Sequence, residues 1–382
     1  MKNFADFLPE LIAIRHDIHA HPELGLEEHR TSDLVAKLLS DWGFEVTRGL
    51  GQTGVVGTLR RSGSNHSVGL RADMDALPMD EETGLSYASA IPGKMHACGH
   101  DGHTSMLLGA AWRVAHDPDF KGTAQMIFQP AVETEGGGQM MIEDGLFEKF
   151  SCDRIYAMHN RPGLPLGKIA MRKGSMSAAI DAVTVTIYGQ GGHGARPEDT
   201  IDPIVAGANI VVALQSIVSR NVSPHDAAVV TVGAFVSGTV CNIIPNSAQL
   251  EISMRSLNAQ TRKNLRNKVE LICRTHAEGL GCRAEFRWLT GYPPTINDAD
   301  AVEDAGRAAR DLFGPDAVIE LEHPSMGSED FSFMLEQVSG AYVLIGNGDS
   351  MGLHTSTYDF NDGLLDPGSA YLHKLVRCYC DR

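Results

Sequence analysis

Nine consecutive residues, numbers 95–103, carry a high concentration of side chains that can bind a metal ion. They read MHACGHDGH, and the members with metal-binding groups are His96, Cys98, His100, Asp101 and His103. A thiolate together with imidazoles favours Zn, Mn, Co or Ni over Ca or Mg. Because a buried polar cluster needs partners that offset its desolvation, we predict a metal site in this loop, which leads into a helix. A ligand-free surface loop and a lone catalytic cysteine are the alternative interpretations.

Four further segments carry acids or histidines at the ends of predicted strands or in loops. These residues are Asp73 and Asp75 in RADMDALP, Glu133 and Glu135 in FQPAVETEGGG, His159 in MHN and His354 in LHTSTYDFND. Acids two apart on a strand point to the same side, although a solvated turn explains such a pair equally well. A single histidine is more often structural than a ligand. Five segments with candidate groups in such positions nevertheless predict one shared site.

The elements that must position these groups follow from the spacing of apolar residues. Helical spacing is seen in residues 4–18 and 34–42, and short apolar runs alternate with helical patterns after them. Strands are predicted at 67–74, 123–128 and 154–158, with helices at 104–115 and 138–144. This alternation predicts an α/β fold whose mostly parallel sheet has helices on both faces. Ligands bind beyond the carboxyl ends of strands in such sheets, where the polar segments lie.

The pattern changes near residue 181 and returns after Pro293 and Pro294. In between, the predicted elements are strands at 181–189, 227–235, 248–255 and 284–289 and helices at 201–219 and 259–278. A chain of 382 residues exceeds the size at which a single core keeps growing. We therefore predict a catalytic domain made of residues 1–180 and 291–382, interrupted by an inserted α+β sandwich domain at 181–290.

Composition excludes some classes of partner. The chain has 32 basic and 48 acidic residues, a formal net charge of -16, and no clustered Lys and Arg of the kind that nucleic acid requires. Its first residues lack the layout of a secretion signal, and no uncharged apolar stretch of about 18 to 20 residues suggests a membrane span. Seven scattered cysteines fit reduced thiols. We expect a cytoplasmic protein that binds neither nucleic acid nor membrane.

Taken in order along the chain, these stretches closely resemble the amidohydrolase branch of the zinc carboxypeptidase and aminoacylase superfamily. That branch includes hippurate hydrolases, N-acyl-amino-acid amidohydrolases and plant auxin-conjugate hydrolases. The resemblance spans essentially the whole chain, through HAHPELG, GGHGARP, NIIPN, MGSEDF and YDFND. It implies metal-dependent hydrolysis of the amide bond of N-acyl-amino acids, which releases a carboxylic acid and an amino acid. It also implies that the inserted domain serves as a lid or in dimerisation, in a homodimer or higher homo-oligomer.

The resemblance also implies roles for individual residues. Two divalent ions, of Mn, Zn, Co or Ni, would be held by Cys98, His100, Glu133, His159 and His354, with Cys98 as the bridge. Asp75 would sit behind the site as an orienting acid. His193 would reach the scissile carbonyl, in relatives typically across a dimer interface. Asn242 and Arg255 would bind the amide and terminal carboxylate of the substrate, although a turn and a surface charge are their alternative interpretations.

One position departs from the family pattern. Members normally carry FQPAEE, whereas this chain reads FQPAVE, so Val132 stands where the general-base Glu is expected. Losing a general acid/base typically costs on the order of 10² to 10⁴ in rate, which predicts an impaired enzyme. The substitution could be inactivating, Glu135 could act as a substitute base, or the chain could be a non-catalytic, metal-loaded binding protein for acyl-amino acids. A dipeptidase or carboxypeptidase is a further alternative that needs the same metals.

Overall fold

The computed structural model describes residues 3–289 and 291–382, which divide into two compact units. Unit 1 consists of Met1–Met176, Ile296–His323 and Asp330–Arg382, and unit 2 of Ser177–Thr295 and Pro324–Glu329. The domain limits expected from the sequence stay a prediction. Unit 2 begins at Ser177 and includes a short segment, Pro324–Glu329, that the sequence predicts to lie in the catalytic domain.

The helices occur throughout the chain. They are α1 (Phe4–Ala20), α2 (His29–Asp41), α3 (His100–His116), α4 (Gly137–Glu143), α5 (Leu146–Lys149), α6 (Pro203–Asn221), α7 (Ala259–Gly279), α8 (Ala299–Phe313), α9 (Phe331–Leu335) and α10 (Leu365–Cys380). Short 3-10 turns occur at Pro197–Asp199, Pro315–Ala317 and Asp362–Leu364.

The strands include both long core strands and short connecting ones. They are β1 (Glu45–Leu50), β2 (Gly54–Arg61), β3 (Ser67–Asp73), β4 (Gly122–Gln129), β5 (Arg154–Arg161), β6 (Ile169–Met171), β7 (Gly174–Ser177), β8 (Ala179–Tyr188), β9 (Gly192–His193), β10 (Ala228–Ser237), β11 (Ile243–Ile244), β12 (Ser247–Ser256), β13 (Arg283–Trp288), β14 (Thr295–Asn297), β15 (Val318–Glu320) and β16 (Gly340–Gly346).

Unit 1 is built on a mixed sheet in the order β1-β2-β4-β3-β5-β16-β6-β15. Its centre is parallel, because β3 pairs in parallel with β4 and β5, and β16 pairs in parallel with β5. Antiparallel pairs join β1 to β2, β2 to β4 and β16 to β6. The predicted α/β class, with a large and mostly parallel sheet flanked by helices, is confirmed.

Both faces of this sheet are covered by apolar side chains, as a buried parallel sheet requires. Strand β5 illustrates the arrangement. Tyr156 and Met158 join a core formed with α1, α3 and α10, whereas Ile155 and Ala157 join a second core formed with α4 and α9. Alternate residues of a strand point to opposite faces, so one continuous apolar run supplies both cores.

The carboxyl ends of the parallel strands meet at one edge of the sheet. Asp73 ends β3, Gln129 ends β4, and His159 lies near the end of β5. Gly99, with φ of 88°, immediately precedes α3, and a Cβ there would lie 2.3 Å from Asn160 Nδ2. The helix consequently begins at His100. The expectation that the whole 95–103 segment is a loop is therefore wrong for its last residues, which form the first turn of α3.

Unit 2 contains an antiparallel sheet in the order β10-β12-β8-β13, with α6 and α7 packed against it. Its core includes Ala206, Ile210 and Leu214 of α6. By length and composition α6 is long and apolar enough to cross a membrane, and it is the one described helix that passes this test. That test allows a few charged residues, whereas the uncharged part of α6 begins after Asp202 and ends before Arg220, so the expectation that no uncharged apolar stretch reaches about 18 to 20 residues is not contradicted. A helix in the core of a folded unit passes the same test.

Candidate metal centre

The five side chains proposed as metal ligands lie together in unit 1. Cys98 Sγ is 3.4 Å from both His159 Nε2 and His354 Nε2. Glu133 Oε1 is 3.2 Å from His354 Nε2 and 3.8 Å from His100 Nε2. Five residues from four distant segments therefore point their ligand atoms into one small region.

The ring nitrogens of His100 and His159 are oriented by hydrogen bonds on the far side of each ring. His100 Nδ1 donates to the carbonyl oxygen of Asp75 at 2.8 Å and lies 3.1 Å from its Oδ1. His159 Nδ1 donates to the carbonyl oxygen of Asn160 at 2.7 Å. Burial lowers the pKa of His159 to about 3, so the ring is neutral. Both Nε2 atoms consequently face the site, and in the neutral tautomer that these hydrogen bonds select, each carries the lone pair that a metal ion needs.

The environment of His100 Nε2 shows whether these residues could hold a cation. This atom is buried and has no hydrogen-bond partner among the described residues. Burial disfavours a charged ring, yet the carboxylate of Asp73, the neighbouring sulfur of Cys98 and the hydrogen bond to Asp75 raise the pKa of His100 well above its usual range. The surroundings of His100 therefore favour a positive charge beside its Nε2, the atom that would bind a metal ion. A thiol, three imidazoles and a carboxylate form a set that suits a first-row transition ion.

Two non-glycine residues at the candidate site have a left-handed backbone: one is a proposed ligand, and the other precedes the turn that carries a second proposed ligand. His354 has φ of 61°, and its amide donates to the carbonyl oxygen of Ala97 at 2.8 Å. Ala131, with φ of 51°, precedes the turn that carries Glu133. Burial acts to raise the pKa of Glu133, but the hydrogen bond to His354 and the charge of His100 lower it to about 2. Backbone strain of this kind is often found where a fold must place a side chain in a functional site.

Asp73 and His103 brace the centre. Their ligand atoms form a buried group with those of His100 and His159. His103 Nδ1 donates to Asp73 Oδ1 at 2.7 Å, and His103 Nε2 accepts from the backbone amide of Asn160 at 2.9 Å. Since both ring nitrogens of His103 are used, this histidine positions Asn160. The Asn160 side chain in turn donates to the carbonyl oxygen of Cys98 at 2.8 Å.

A buried arginine connects Asp73 to the rest of the sheet edge. Arg71 donates from Nη1 to Asp73 Oδ2 at 2.8 Å, from Nε to Gln129 Oε1 at 2.8 Å, and from Nη2 to Asp330 Oδ1 at 2.9 Å. Asp330 also accepts from the backbone amide of Gly138 at 2.9 Å. A buried charge network is stable only when its members are bonded in this way. The network holds the ends of β3 and β4 in register.

The three site residues predicted in unit 2 are not all brought together. His193 is exposed and pairs with Ile243 in the β9–β11 ribbon, and Gly194 donates to the carbonyl oxygen of Asn242 at 2.8 Å. Arg255 instead donates from Nη1 to the carbonyl oxygen of Met326 at 2.8 Å and to Ser328 Oγ at 3.1 Å. His193 and Asn242 are thus neighbours, whereas the guanidinium of Arg255 is held by residues 326–328.

Comparison with known proteins assigns the chain to a family. Residues 69–377 match the family described as Peptidase family M20/M25/M40. The chain belongs to this family. The M20 chain is 45% identical to the hippurate hydrolase of Campylobacter jejuni over 375 residues, which cover 98% of this chain and 97% of that protein. It is 33% identical to the N-acetyl-L-cysteine deacetylase of Bacillus subtilis over 384 residues, which cover 99% of this chain and 90% of that protein.

A solved structure agrees with this assignment. The Bacillus subtilis YXEP protein, described as a dinuclear metal-binding peptidase of the M20 family, matches with a TM-score of 0.84 at 31% identity. The match covers 97% of this chain and 98% of that one. The resemblance inferred from the motifs is confirmed, and the M20 chain is a metallo-amidohydrolase.

Val132 lies between Ala131 and Glu133 in the turn after β4, and it is partly buried. Glu135 is exposed in the same turn. The backbone amide of Glu133 donates to Asp75 Oδ2 at 2.9 Å, so Asp75 holds both this turn and the ring of His100. The positioning roles of Asn160 and Asp330 in the M20 chain carry no sequence signal, because a lone Asn or Asp at a strand or helix end is also common in turns.

Proposed function

We propose that this M20 chain hydrolyses the amide bond of N-acyl-amino acids, of the hippurate or N-acetyl type, with two divalent transition-metal ions. The convergence of Cys98, His100, Glu133, His159 and His354 is the observation that carries the proposal. Relatives named hippurate hydrolase and N-acetyl-L-cysteine deacetylase support the substrate class. Mn, Zn, Co and Ni all suit the donor set.

In this proposal Cys98 would be the ligand that both ions share, because its sulfur faces the Nε2 atoms of both His159 and His354. When bound, the ions would polarise the amide carbonyl and make water a better nucleophile at neutral pH. Asp75 orients the site by fixing the ring of His100 and the backbone of Glu133. These contacts hold the ligands in place before substrate arrives, which lowers the reorganisation that the reaction requires.

We assign substrate contacts to unit 2. His193 would donate to the scissile carbonyl, Asn242 would bind the amide, and Arg255 would bind the terminal carboxylate. The exposure of His193 and its closeness to Asn242 support a shared role. The planar guanidinium of Arg255 suits a carboxylate, since it offers paired donors. A homodimer or higher homo-oligomer and a cytoplasmic location complete the proposal.

Val132 makes the proposed enzyme a slow one. Amide hydrolysis needs a group that takes a proton from water and delivers it to the departing nitrogen, and a hydrocarbon side chain can do neither. Val132 therefore also favours a second candidate function, a metal-loaded binding protein for acyl-amino acids that does not turn them over. Glu135 could serve as a substitute base in the first candidate.

Activity assays with substituted chains separate these candidates. Purified protein with added Mn²⁺ or Zn²⁺ is assayed on N-acetyl and N-benzoyl amino acids, together with Val132→Glu and a size-matched Val132→Gln control. We expect Val132→Glu to raise kcat by about 10² to 10⁴ and Val132→Gln to leave it unchanged. A gain below about tenfold would show that the role assigned to this position is wrong. Release of amino acids from unblocked dipeptides would indicate a peptidase instead.

A further inference from the structure

Glu28 is a wholly buried carboxylate in unit 1 whose two oxygens bind other segments of the chain. It immediately precedes α2, yet its side chain makes no capping hydrogen bond to that helix. Oε1 accepts from the backbone amide of Ala131 at 2.9 Å, and Oε2 accepts from Thr53 Oγ1 at 2.7 Å. Its side chain and that of Thr53 are 0% and 2% exposed. A carboxylate is expensive to bury, so its hydrogen bonds must serve the fold or the site.

The residue that Glu28 contacts begins the turn after β4 in a strained conformation. Ala131 has φ of 51°, a region that alanine rarely adopts. Gly25 approaches so closely that a Cβ there would lie 3.1 Å from the Cα and the Cβ of Ala131. The amides of Gly136 and Gly137 both donate to the carbonyl oxygen of Ala131 at 3.1 Å. Contacts from several sides therefore hold the backbone of Ala131 in place.

A second carboxylate holds the other end of the same turn. Asp75 Oδ2 accepts from the amide of Glu133 at 2.9 Å. Two carboxylates thus bind backbone amides on either side of Val132, and the Glu133 side chain leaves the turn towards His354, 3.2 Å away. Because the backbone on both sides is fixed, the direction of the Glu133 carboxylate is fixed as well.

We propose that Glu28 is a positioning residue of the metal centre. Its carboxylate, supported by the hydroxyl of Thr53, clamps the amide of Ala131 so that the Glu133 carboxylate meets His354 and His100. This inference rests on the proposed function for its metal ions, whereas the clamp is a property of the chain alone. Hydrogen bonds that orient a metal ligand typically change metal affinity by about 10- to 100-fold.

The electrostatics of Glu28 agree with a role in geometry. Burial raises the pKa of Glu28 to about 7, and the nearby charge of Asp75 adds to this effect, while hydrogen bonds from Thr53 and Ala131 oppose it. A glutamine would keep an acceptor oxygen for the amide of Ala131 without a charge to bury. The clamp therefore needs the acceptor, and the charge is dispensable.

Metal titration of variants tests the proposal. Glu28→Ala, Glu28→Gln and Thr53→Val are compared with Glu27→Ala, a control at the preceding residue, whose exposed carboxylate contacts Lys94. Zn²⁺ binding is followed by calorimetry on metal-free protein. We expect Glu28→Ala to weaken one of the two ions by about 10- to 100-fold and to leave the other within about threefold. Thr53→Val should weaken the same ion by a smaller factor, and Glu28→Gln and Glu27→Ala should bind as the unaltered chain does.

Amide hydrogen exchange supplies a readout that needs no metal. Glu28→Ala should speed exchange at Ala131 by about tenfold or more, because this amide loses its acceptor, and at Glu133 by a smaller factor, because Asp75 still accepts from that amide. Unchanged exchange, or a loss of affinity shared equally by both ions, would overturn the proposal, since the second result indicates a general effect on folding. If Glu28→Ala does not fold, a failure of Thr53→Val to weaken either ion overturns it. An unaltered chain that binds no Zn²⁺ would refute the proposed function. Hydrogen exchange at Ala131 in Glu28→Ala would then show separately whether Glu28 holds this amide.

Discussion

Two histidines four residues apart, His96 and His100, lie in surroundings that shift their pKa values in opposite directions. Both are buried, and His100 Nε2 and both ring nitrogens of His96 lack hydrogen-bond partners among the described residues. Negative groups raise the pKa of His100. Burial lowers the pKa of His96 to about 3, and the positive charges of His19 and Arg15 act in the same direction although Asp101 opposes them.

The difference shows that the density of histidines in a motif does not identify the ligands. The cluster around His96 contains its own cation, since Arg15 bonds Asp101 at 3.3 Å, Asp359 at 3.1 Å and Asp362 at 2.8 Å. A metal ion there would face a guanidinium. Around His100, Arg71 pairs with Asp73, but the Cys98 thiol and the Glu133 carboxylate face histidine rings that can bind a metal ion. We infer that one cluster supports the fold and the other supports chemistry.

The largest expected effect separates the two histidines directly. His100→Ala should remove one bound ion and lower kcat by about 10²-fold or more in the Val132→Glu background, because a metal ion contributes several kcal/mol to the reaction. His96→Gln should keep both ions. Metal content and kcat measured side by side check this expectation. Equal metal loss in both variants would abolish the distinction between the clusters.

The next effect concerns stability. Arg15→Met removes the buried guanidinium that bonds Asp101, Asp359 and Asp362, and His19, 2.8 Å from Asp101, is the cation that remains. Because breaking a buried ion pair typically costs about 3 to 5 kcal/mol, we expect a loss of about that size in the free energy of unfolding. Metal affinity in the folded protein should stay within about threefold. Arg30→Met, which removes a partly exposed pair with Asp17, is the control and should cost about 1 kcal/mol or less. Urea unfolding of the metal-free protein measures both.

A pH dependence follows from His19. Burial disfavours its charged ring, but the carboxylate of Asp101 and the hydrogen bond to Glu81 raise the pKa of His19 to about 9. The folded state therefore binds the proton more tightly than the unfolded state, whose pKa is about 6.5. This stabilisation is complete below about pH 6.5 and is lost as pH rises through about 9, by on the order of 3 kcal/mol. His19→Gln should flatten the unfolding free energy over that window, and an unchanged slope would contradict the assignment.

The smallest effect probes Asp75, which orients His100. Asp75→Asn should weaken metal binding by about 10- to 100-fold, because the ring and the Glu133 turn lose a charged acceptor. Asp80→Asn is an exposed control on the same segment and should have no effect. Competition with a chelator measures both affinities. Equal affinities in the two variants would remove Asp75 from the account.

Much of the fold could be predicted from the sequence, because strands buried on both faces are continuous apolar runs. The strands predicted at 67–74, 123–128 and 154–158 correspond to β3, β4 and β5. Strands β1 and β2 were missed, since arginines and glycines interrupt their apolar pattern at the edge of the sheet. Strands β6 and β15 have three residues each, too few for periodicity to show.

The residues of the candidate metal centre also divide into those that the sequence reveals and those that it does not. The proposed ligands could be named from the sequence because side chains that can bind a metal ion stand in recognisable motifs. The residues that position them were not, since they act through contacts between distant segments. Glu28 and Ala131 are 103 residues apart, and Tyr358, which donates to Asn160, is 198 residues away from it. Only the folded chain brings such pairs together, so no local pattern marks them.

Metal content is the measurement that tests the central claim most directly. The chain is loaded with Zn²⁺ or Mn²⁺, dialysed, and analysed for metal alongside Cys98→Ser, which replaces the proposed bridge. We predict two ions held by each unaltered chain and a clear loss from Cys98→Ser. An unaltered chain that retains no transition metal, or a Cys98→Ser chain that retains both ions with the original affinity, would contradict the account.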